Sequence, residues 1–394
     1  MKIGILTQPL GENYGGILQA YALQALLKKL GHQVWTEDRL QERDESAGLQ
    51  HRMYERVKNV SIKDSLDYLR TIKSSQLLIK KALSIITDTA SLRVSTNEFV
   101  KSNISLTVPN RSRTKEVFAQ YGFEAYIVGS DQVWRPSCYP YLYNYFLDFT
   151  KDTQVKRIAY AASFGTDEWE FTPEQTSHCA SLLKKFDAVS VREKSAVQLC
   201  REHFGVDAIH VLDPTLLLNK ADYLSLLTTE LLKKRKKYCV AYTLGINAEN
   251  YNILEEVAEH LQCKGKMITL RPWALPKELK RYKNYNHLPV EDWLSQFYQA
   301  SFVITDSFHG CVFAILFHKP FVVIENKGRG SARFHSLLDL LGLQDRLVTS
   351  YDDFLCKKME LLSRPVDYDK VNAVLKIKQT ESMDFLKCAL SSPV

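Results

Sequence analysis

The stretch F-V-I-T-D-S-F-H-G, Phe302 to Gly310, decides the fold of this chain of 394 residues. Its apolar β-branched run ends at Asp306-Ser307, and the apolar residues 311–317 follow at once. This order predicts a strand, a polar turn and a helix, with His309 in the first helical turn. Open α/β sheets bind ligands at that edge, and the free N–H groups of a helix start attract anions. His309 is therefore either a residue that holds an anion and moves a proton, or a core or capping histidine.

The size and composition of the chain indicate a cytoplasmic protein of two domains. The length exceeds that of one ordinary domain, and 45% hydrophobic with 25% charged residues is typical of soluble globular proteins. The opening M-K-I-G-I-L reads as a strand, so we expect no signal peptide, and no apolar run approaches the roughly 18 residues of a membrane span. The eight cysteines are scattered without a C-x-x-C pair. We therefore expect reduced thiols, with no disulfide framework and no metal.

Two basic segments carry much of the net charge of +7. Residues 51–101 hold ten Lys/Arg and five Asp/Glu, and residues 233–237 read K-K-R-K-K. Within the first segment, apolar positions from Ile62 to Ile86 follow helical spacing and predict a basic amphipathic helix. A basic amphipathic helix either packs on the core or lies on a membrane surface. Basic runs are solvated loops, or they attract a phosphorylated substrate or the anionic inner face of the cell membrane. Neither segment has the interleaved aromatic residues of a nucleic-acid site.

The order of predicted elements favours parallel sheets covered by helices. The chain opens as a βαβ unit, with a strand at residues 3–7, a helix at 17–30 and a second strand from residue 33. Further strands are predicted at residues 125–128, 157–161, 188–191, 208–212, 238–244, 266–270, 302–305 and 321–324. Helical patterns lie between many of them, which predicts an α/β fold. We place the domain boundary at Asp213-Pro214-Thr215, giving residues 1–214 and 215–394 with a terminal helix.

Five loops at predicted strand ends carry the candidate site residues. A purely structural role, such as a turn, a helix cap or a surface ion pair, also explains each of these loops. The candidates in these loops are Asn13, Tyr14, Gly15 and Gly16; Ser130, Asp131 and Gln132; Ser163 and Phe164; Arg192 and Glu193; and Asp306, Ser307, Phe308, His309 and Gly310.

The chemistry of these loops suits a sugar and an anion. Asp131 follows a small-residue turn, where a carboxylate can bind sugar hydroxyls or act as a base, and Arg192 can bind phosphate or carboxylate with two N–H groups. The loop 327–334 adds three further cations near His309, including Arg329 and Arg333.

Six motifs together resemble the polysaccharide pyruvyl transferase family. They read N-Y-G-G-I-L-Q-A-Y-A-L, V-G-S-D-Q-V-W, Y-A-A-S-F-G, S-V-R-E-K-S, D-P-T and T-D-S-F-H-G, and they extend from about residue 2 to about residue 343. The resemblance implies two facing Rossmann-like domains, similar to type B glycosyltransferases. It also implies transfer of the enolpyruvyl unit of phosphoenolpyruvate (PEP) onto two hydroxyls of a sugar, forming a pyruvate ketal.

The family pattern assigns roles to matching residues. The histidine matching His309 contacts PEP as the favoured general acid, and the arginine matching Arg192 binds the anionic donor. Asp131 is our own candidate for orienting or deprotonating the sugar hydroxyl. We expect the N-terminal domain to bind the acceptor and the C-terminal domain to bind PEP. PEP is a co-substrate in this scheme, which needs no cofactor.

The chain departs from the family pattern in front of the histidine. Some members carry an arginine there, as R-L-H, where this chain has Ser307 and Phe308. Arg271, Arg329 or Arg333 could supply the missing cation. The leading hypothesis is a pyruvyl transferase of capsule or exopolysaccharide assembly that acts on a lipid-linked oligosaccharide. The alternatives are a nucleotide-sugar-dependent glycosyltransferase and a non-catalytic sugar-binding protein.

Overall fold

The computed structural model describes most of the chain outside the first basic segment. The described residues are 1–39, 94–109, 114–138, 142–150, 153–233, 237–245, 248–269, 288–326 and 330–391. The predicted amphipathic helix at 62–86, Arg271, Arg329 and the centre of the second basic run lie outside these ranges. Within them, no helix combines the length and apolar character needed to cross a membrane.

The strands form two parallel sheets, which confirms the predicted α/β fold with two domains. The strands are β1 Lys2–Leu6, β2 Gln33–Thr36, β3 Ala125–Val128, β4 Lys156–Ala162, β5 Ala188–Val191, β6 Ile209–His210, β7 Tyr238–Thr243, β8 Lys264–Thr269, β9 Phe302–Thr305, β10 Phe321–Ile324 and β11 Leu347–Val348. The first sheet has the order β2-β1-β3-β4-β5-β6, and the second has the order β11-β10-β9-β7-β8.

Helices connect these strands, as parallel pairing requires. We label them α1 Tyr14–Lys29, α2 Thr114–Ala119, α3 Pro173–Leu183, α4 Lys194–Leu199, α5 Lys220–Leu224, α6 Thr229–Leu232, α7 Ala248–His260, α8 Val290–Gln299, α9 Phe308–Leu316, α10 Ala332–Leu341, α11 Tyr351–Ser363 and α12 Tyr368–Ser391. Residues 94–103 are also helical.

Helix α1 is buried because it lies between the two domains. Ile17 and Leu18 pack in a hydrophobic cluster that includes α8 and α9 of the second domain, whereas Leu23 and Leu27 pack on the first sheet. This explains why apolar residues surround nearly the whole helix instead of forming one stripe.

The terminal helix α12 also connects the two domains. Its first turns place Val371 and Leu375 in the cluster of the second domain, and Leu386 and Leu390 near its end pack on the first sheet. The domain boundary at residues 214–215 stays a prediction. The terminal helix, which the sequence assigns to the second domain, packs its last turns on the sheet of the first domain.

The first residue of α1 fastens this helix to the second domain. The Tyr14 ring stacks on Trp293 with centroids 5.4 Å apart, and its hydroxyl donates to the Leu288 carbonyl oxygen at 2.7 Å. Burial raises the pKa of Tyr14, so the hydroxyl stays a donor. The aromatic residue of the N-Y-G-G motif therefore makes an interdomain contact.

Removing the Tyr14 hydroxyl should destabilise the protein measurably. Tyr14→Phe leaves a buried carbonyl without its donor, so we expect the free energy of unfolding to fall by about 1–3 kcal/mol in urea titrations. Tyr143→Phe is the control, because Tyr143 is only partly buried and should change the free energy by less than about 0.5 kcal/mol. Equal effects of the two variants would contradict an anchoring role for Tyr14.

Candidate active site

His309 lies where the first turns of two helices meet across the domain boundary. It is the second residue of α9, which Ser307 caps by accepting from the Gly310 N–H at 3.4 Å. The start of α1 lies directly against it: a Cβ on Gly15 would be 2.2 Å from Nδ1 of His309. Asn13 caps α1 through the Gly15 N–H at 3.1 Å. Only a glycine at position 15 lets the two helix starts come this close.

The His309 ring is buried but not fully satisfied. The residue is 4% exposed, and its Nε2 makes no hydrogen bond with a described group. Oδ2 of Asp213 lies 3.6 Å from that nitrogen, just beyond a hydrogen bond. Orphaned buried polar atoms are rare in folded proteins, so this nitrogen is a candidate for contact with a ligand.

Arg192 is held by three carboxylates. Its Nη1 contacts Asp213 at 2.9 Å, its Nη2 contacts Asp131 at 3.1 Å, and its Nε contacts Glu193 at 3.2 Å. Ser163 in turn donates to Glu193 at 2.6 Å. Three of the five guanidinium N–H groups therefore already point at acidic partners. An anionic substrate would have to use the other two, or displace a carboxylate.

Asp213 is the centre of this cluster, and the sequence analysis did not assign it a role. Its Oδ2 accepts from the Ser130 hydroxyl at 2.8 Å, and its Oδ1 accepts from the hydroxyl and the N–H of Thr215. The D-P-T motif that contains Asp213 marks the predicted domain boundary and belongs to the family resemblance, but neither interpretation assigns a role to its carboxylate. An aspartate placed after the last strand of a parallel sheet is the signal that could have identified it.

The pKa values of two carboxyl groups reflect this environment. Burial alone would raise the pKa of Asp213, but His309 and Arg192 outweigh that effect and hold it well below its usual range. Burial would likewise raise the pKa of Asp131, and the charge of Arg192 lowers it instead. Both groups are therefore carboxylates near neutral pH. A carboxylate stabilised in this way is a weak base, so Asp131 suits orientation better than deprotonation.

These shifts predict an acid-sensitive fold that depends on Asp213. Its folded pKa lies below the unfolded value of about 3.9, so the carboxylate stabilises the fold above about pH 4. That contribution is lost as the pH falls further. We expect the free energy of unfolding to drop more steeply below about pH 4 in the wild type than in Asp213→Asn.

Urea unfolding between about pH 6 and about pH 3 measures the two slopes. The control is Asp207→Asn, because Asp207 is 86% exposed in its pair with Arg201 and solvent screens that pair. It should keep the wild-type slope. Parallel curves for the wild type and Asp213→Asn would show that Asp213 does not couple folding to protonation.

Phe308 lies against two guanidinium groups. Cζ of Arg192 is 4.5 Å from the centre of its ring, and Cζ of Arg333 is 6.0 Å from it. Arg333 is the second residue of α10 and is 7% exposed. Phe308, the residue before His309 in the sequence, therefore has two guanidinium groups beside its ring. This arrangement suits cation–π attraction.

The two domains touch at backbone level around this cluster. Gly330 has φ +88°, and a Cβ there would be 1.6 Å from the Gly165 carbonyl oxygen, so no side chain fits. The Gln132 side chain lies against Gly165 from the other side. Arg192 is 3% exposed, so the centre of the cluster is buried.

The remaining predicted residues have structural contacts. Asp306 accepts from the backbone N–H groups of Leu244 at 2.5 Å and Gly245 at 2.8 Å, which joins the ends of β7 and β9. Phe164 packs in the aromatic core of the first domain. Gly16 lies in the first turn of α1, and Gly310 lies so close to Thr305 that a Cβ would meet its hydroxyl at 2.2 Å.

The candidate residues therefore form two groups: some contact one another in a single cluster, and the others contact the surrounding fold. The structure brings Asp131, Arg192, Glu193, His309 and Arg333 together with Asp213. No group of three or more metal-binding side chains is found among the described residues.

The sequence pattern of polysaccharide pyruvyl transferases matches residues 13–328. The chain belongs to the polysaccharide pyruvyl transferase family. The matched part contains the start of α1, the Arg192 cluster and His309, so the family pattern covers most of the candidate site. Comparison with curated proteins gives no match.

Two solved structures have folds similar to that of this chain. A glycosyltransferase from Rickettsia africae ESF-5 gives a TM-score of 0.52 at 11% identity, covering 100% of this chain and 99% of that one. The UDP-GlcNAc 2-epimerase of Neisseria meningitidis bound to UDP-GlcNAc gives 0.51 at 12% identity, covering 98% and 100%. At this identity the likeness shows the fold alone, which is that of type B glycosyltransferases.

Proposed function

We propose that this chain transfers the enolpyruvyl group of PEP onto two hydroxyls of a sugar and forms a pyruvate ketal. The observation that carries the proposal is the buried, unsatisfied Nε2 of His309 at the start of α9. PEP has a phosphate and a carboxylate, and helix starts attract anions. The first turns of α1, α9 and α10 converge on Phe308 and His309.

In the proposed reaction, His309 protonates the methylene carbon of PEP. A sugar hydroxyl then attacks the cationic carbon that results, the phosphate leaves, and a second hydroxyl closes the ring. One hydroxyl proton returns to the imidazole that protonated PEP, and the other leaves with the inorganic phosphate. The acceptor gains a carboxylated ketal carbon with its methyl group. Asp213, whose Oδ2 lies 3.6 Å from the same Nε2, would stabilise the protonated imidazole through its negative charge.

The cations that would hold PEP are Arg333 and Arg192. Arg333 lies beside Phe308 and lowers the pKa of Asp131 through its charge, so it is close to the carboxylate cluster. Arg271, Arg329 and Arg333 are the arginines that could supply the cation missing before His309. Of these three, the structure describes Arg333. Arg192 fixes the cluster and would offer its two other N–H groups to the donor.

A direct assay tests the proposal. The full chain is incubated with PEP and a panel of lipid-linked saccharides, and we expect released phosphate together with a pyruvyl mass gain on one acceptor. Turnover of a sugar nucleotide, with no phosphate released from PEP, would overturn it in favour of a glycosyltransferase. The lipid-linked acceptor and the position on the inner membrane face rest on the basic segments and belong to the proposal.

A further inference from the structure

Two cysteines meet at the edge of the second sheet that lies away from the candidate site. Cys239 is fully buried in β7, and Cys263 immediately precedes β8. Their Sγ atoms are 2.9 Å apart. Cys239 pairs with Gly265, two positions after Cys263, so the two cysteines belong to neighbouring strands of the sheet. Because a disulfide joins its sulfurs at about 2.05 Å, a shift of less than about 1 Å brings this pair to bonding distance.

The two thiols differ in access. Cys263 is partly exposed and lines a surface groove of about 910 Å³, together with Lys237 and Lys264. Access decides which thiol an oxidant reaches first, and Cys263 is the accessible member of the pair. Burial raises the pKa of the Cys239 thiol, so it stays protonated until its partner is oxidised.

We propose that Cys239 and Cys263 form an oxidative modification site that reacts with a peroxide. The Cys263 thiolate attacks the O–O bond, becomes a sulfenic acid and leaves one water. The sulfur of Cys239 then attacks the oxidised sulfur, its proton leaves with the hydroxyl as a second water, and the S–S bond forms. Together the two thiols lose two electrons, and the peroxide is reduced to two waters.

The crosslink would constrain the second domain without reaching the candidate site. It joins residues 24 positions apart and encloses α7. Closing such a loop restricts the unfolded chain, so Tm should rise by roughly 5–10 °C on oxidation. Cys239 lies near the start of β7, whereas the contacts to Asp306 follow its end. The proposal therefore does not depend on the proposed function.

The test is a thiol map of the reduced full chain after treatment with hydrogen peroxide. We expect one peptide pair, joined through Cys239 and Cys263, that has lost two hydrogens and separates again in dithiothreitol. Cys263→Ser should abolish both this pair and the rise in Tm. Cys356→Ser should keep both, because Cys356 is an exposed thiol on α11.

The thiol map of the wild-type protein tests the proposal even if Cys263→Ser folds poorly. The proposal fails if Cys239 and Cys263 both remain open to alkylation after denaturation, under peroxide that oxidises the exposed Cys356. It fails equally if Cys263 pairs with another cysteine, or stops at a sulfinic acid with Cys239 unmodified.

Discussion

His309→Ala should lower turnover of PEP by roughly 10²–10⁴-fold, the usual range for loss of an acid–base group. The reason is positional as well as chemical: the imidazole is 4% exposed, and the start of α1 and the Asp213 carboxylate enclose it. Water cannot easily supply the proton in its place. The measurement is the rate of phosphate release from PEP at saturating acceptor, with Tm recorded to show that the variant folds.

A histidine of the same domain provides the control. His335 lies on the exposed side of α10, with its Nε2 3.2 Å from Glu325, and His335→Ala should leave the turnover unchanged. Similar rates for His309→Ala and the wild type would remove the general acid from the proposed mechanism. A fall in the Tm of His309→Ala that parallels its fall in turnover would instead assign His309 a structural role.

Gly15→Ala should reduce turnover by roughly 10²-fold, because a displacement of about 1 Å at a catalytic group can cost that much. The new Cβ would be 2.2 Å from Nδ1 and 2.4 Å from Cγ of His309. Either the imidazole must rotate away or the start of α1 must retreat from the second domain. Alanine is also the better helix former, by up to about 1 kcal/mol, so a large loss of turnover with little loss of stability would indicate displacement.

The matched control is Gly11→Ala in the same loop. Among the described residues, no neighbouring side chain or backbone lies within 4 Å of a Cβ at position 11, so this variant should keep wild-type turnover. Turnover is again followed by phosphate release, and urea unfolding records stability. If Gly15→Ala is as active as Gly11→Ala, the contact between α1 and His309 is not needed for the reaction.

The sequence predicted the sheets well where the strands are long and apolar. Apolar runs identified ten of the strands, with ends that differ by a few residues; the first, for instance, is Lys2–Leu6 instead of 3–7. It missed β11, because Leu347–Val348 stands alone between polar residues, whereas the equally short β6 lies within the longer apolar stretch 208–212. Sequence spacing also placed His309 correctly in the first turn of a helix.

The candidate site was only partly predictable. Loops at the ends of parallel strands were expected to meet, and Asp131, Arg192 and His309 do lie in one cluster. The structure shows that Tyr14 packs on Trp293, a contact that the sequence does not reveal, and its predicted contact with substrate stays a prediction. Asp213 escaped notice because a short polar motif after a strand also reads as a boundary.

By itself, the sequence determined the parallel sheets, the family and the types of residue at the strand ends. Those follow from local periodicity and from motifs whose spacing is fixed along the chain. Only the tertiary structure decided that Asp213 holds Arg192 and lies beside His309, and that Gly15 covers the imidazole. These contacts join residues far apart in the sequence, and they depend on how closely the two domains approach one another.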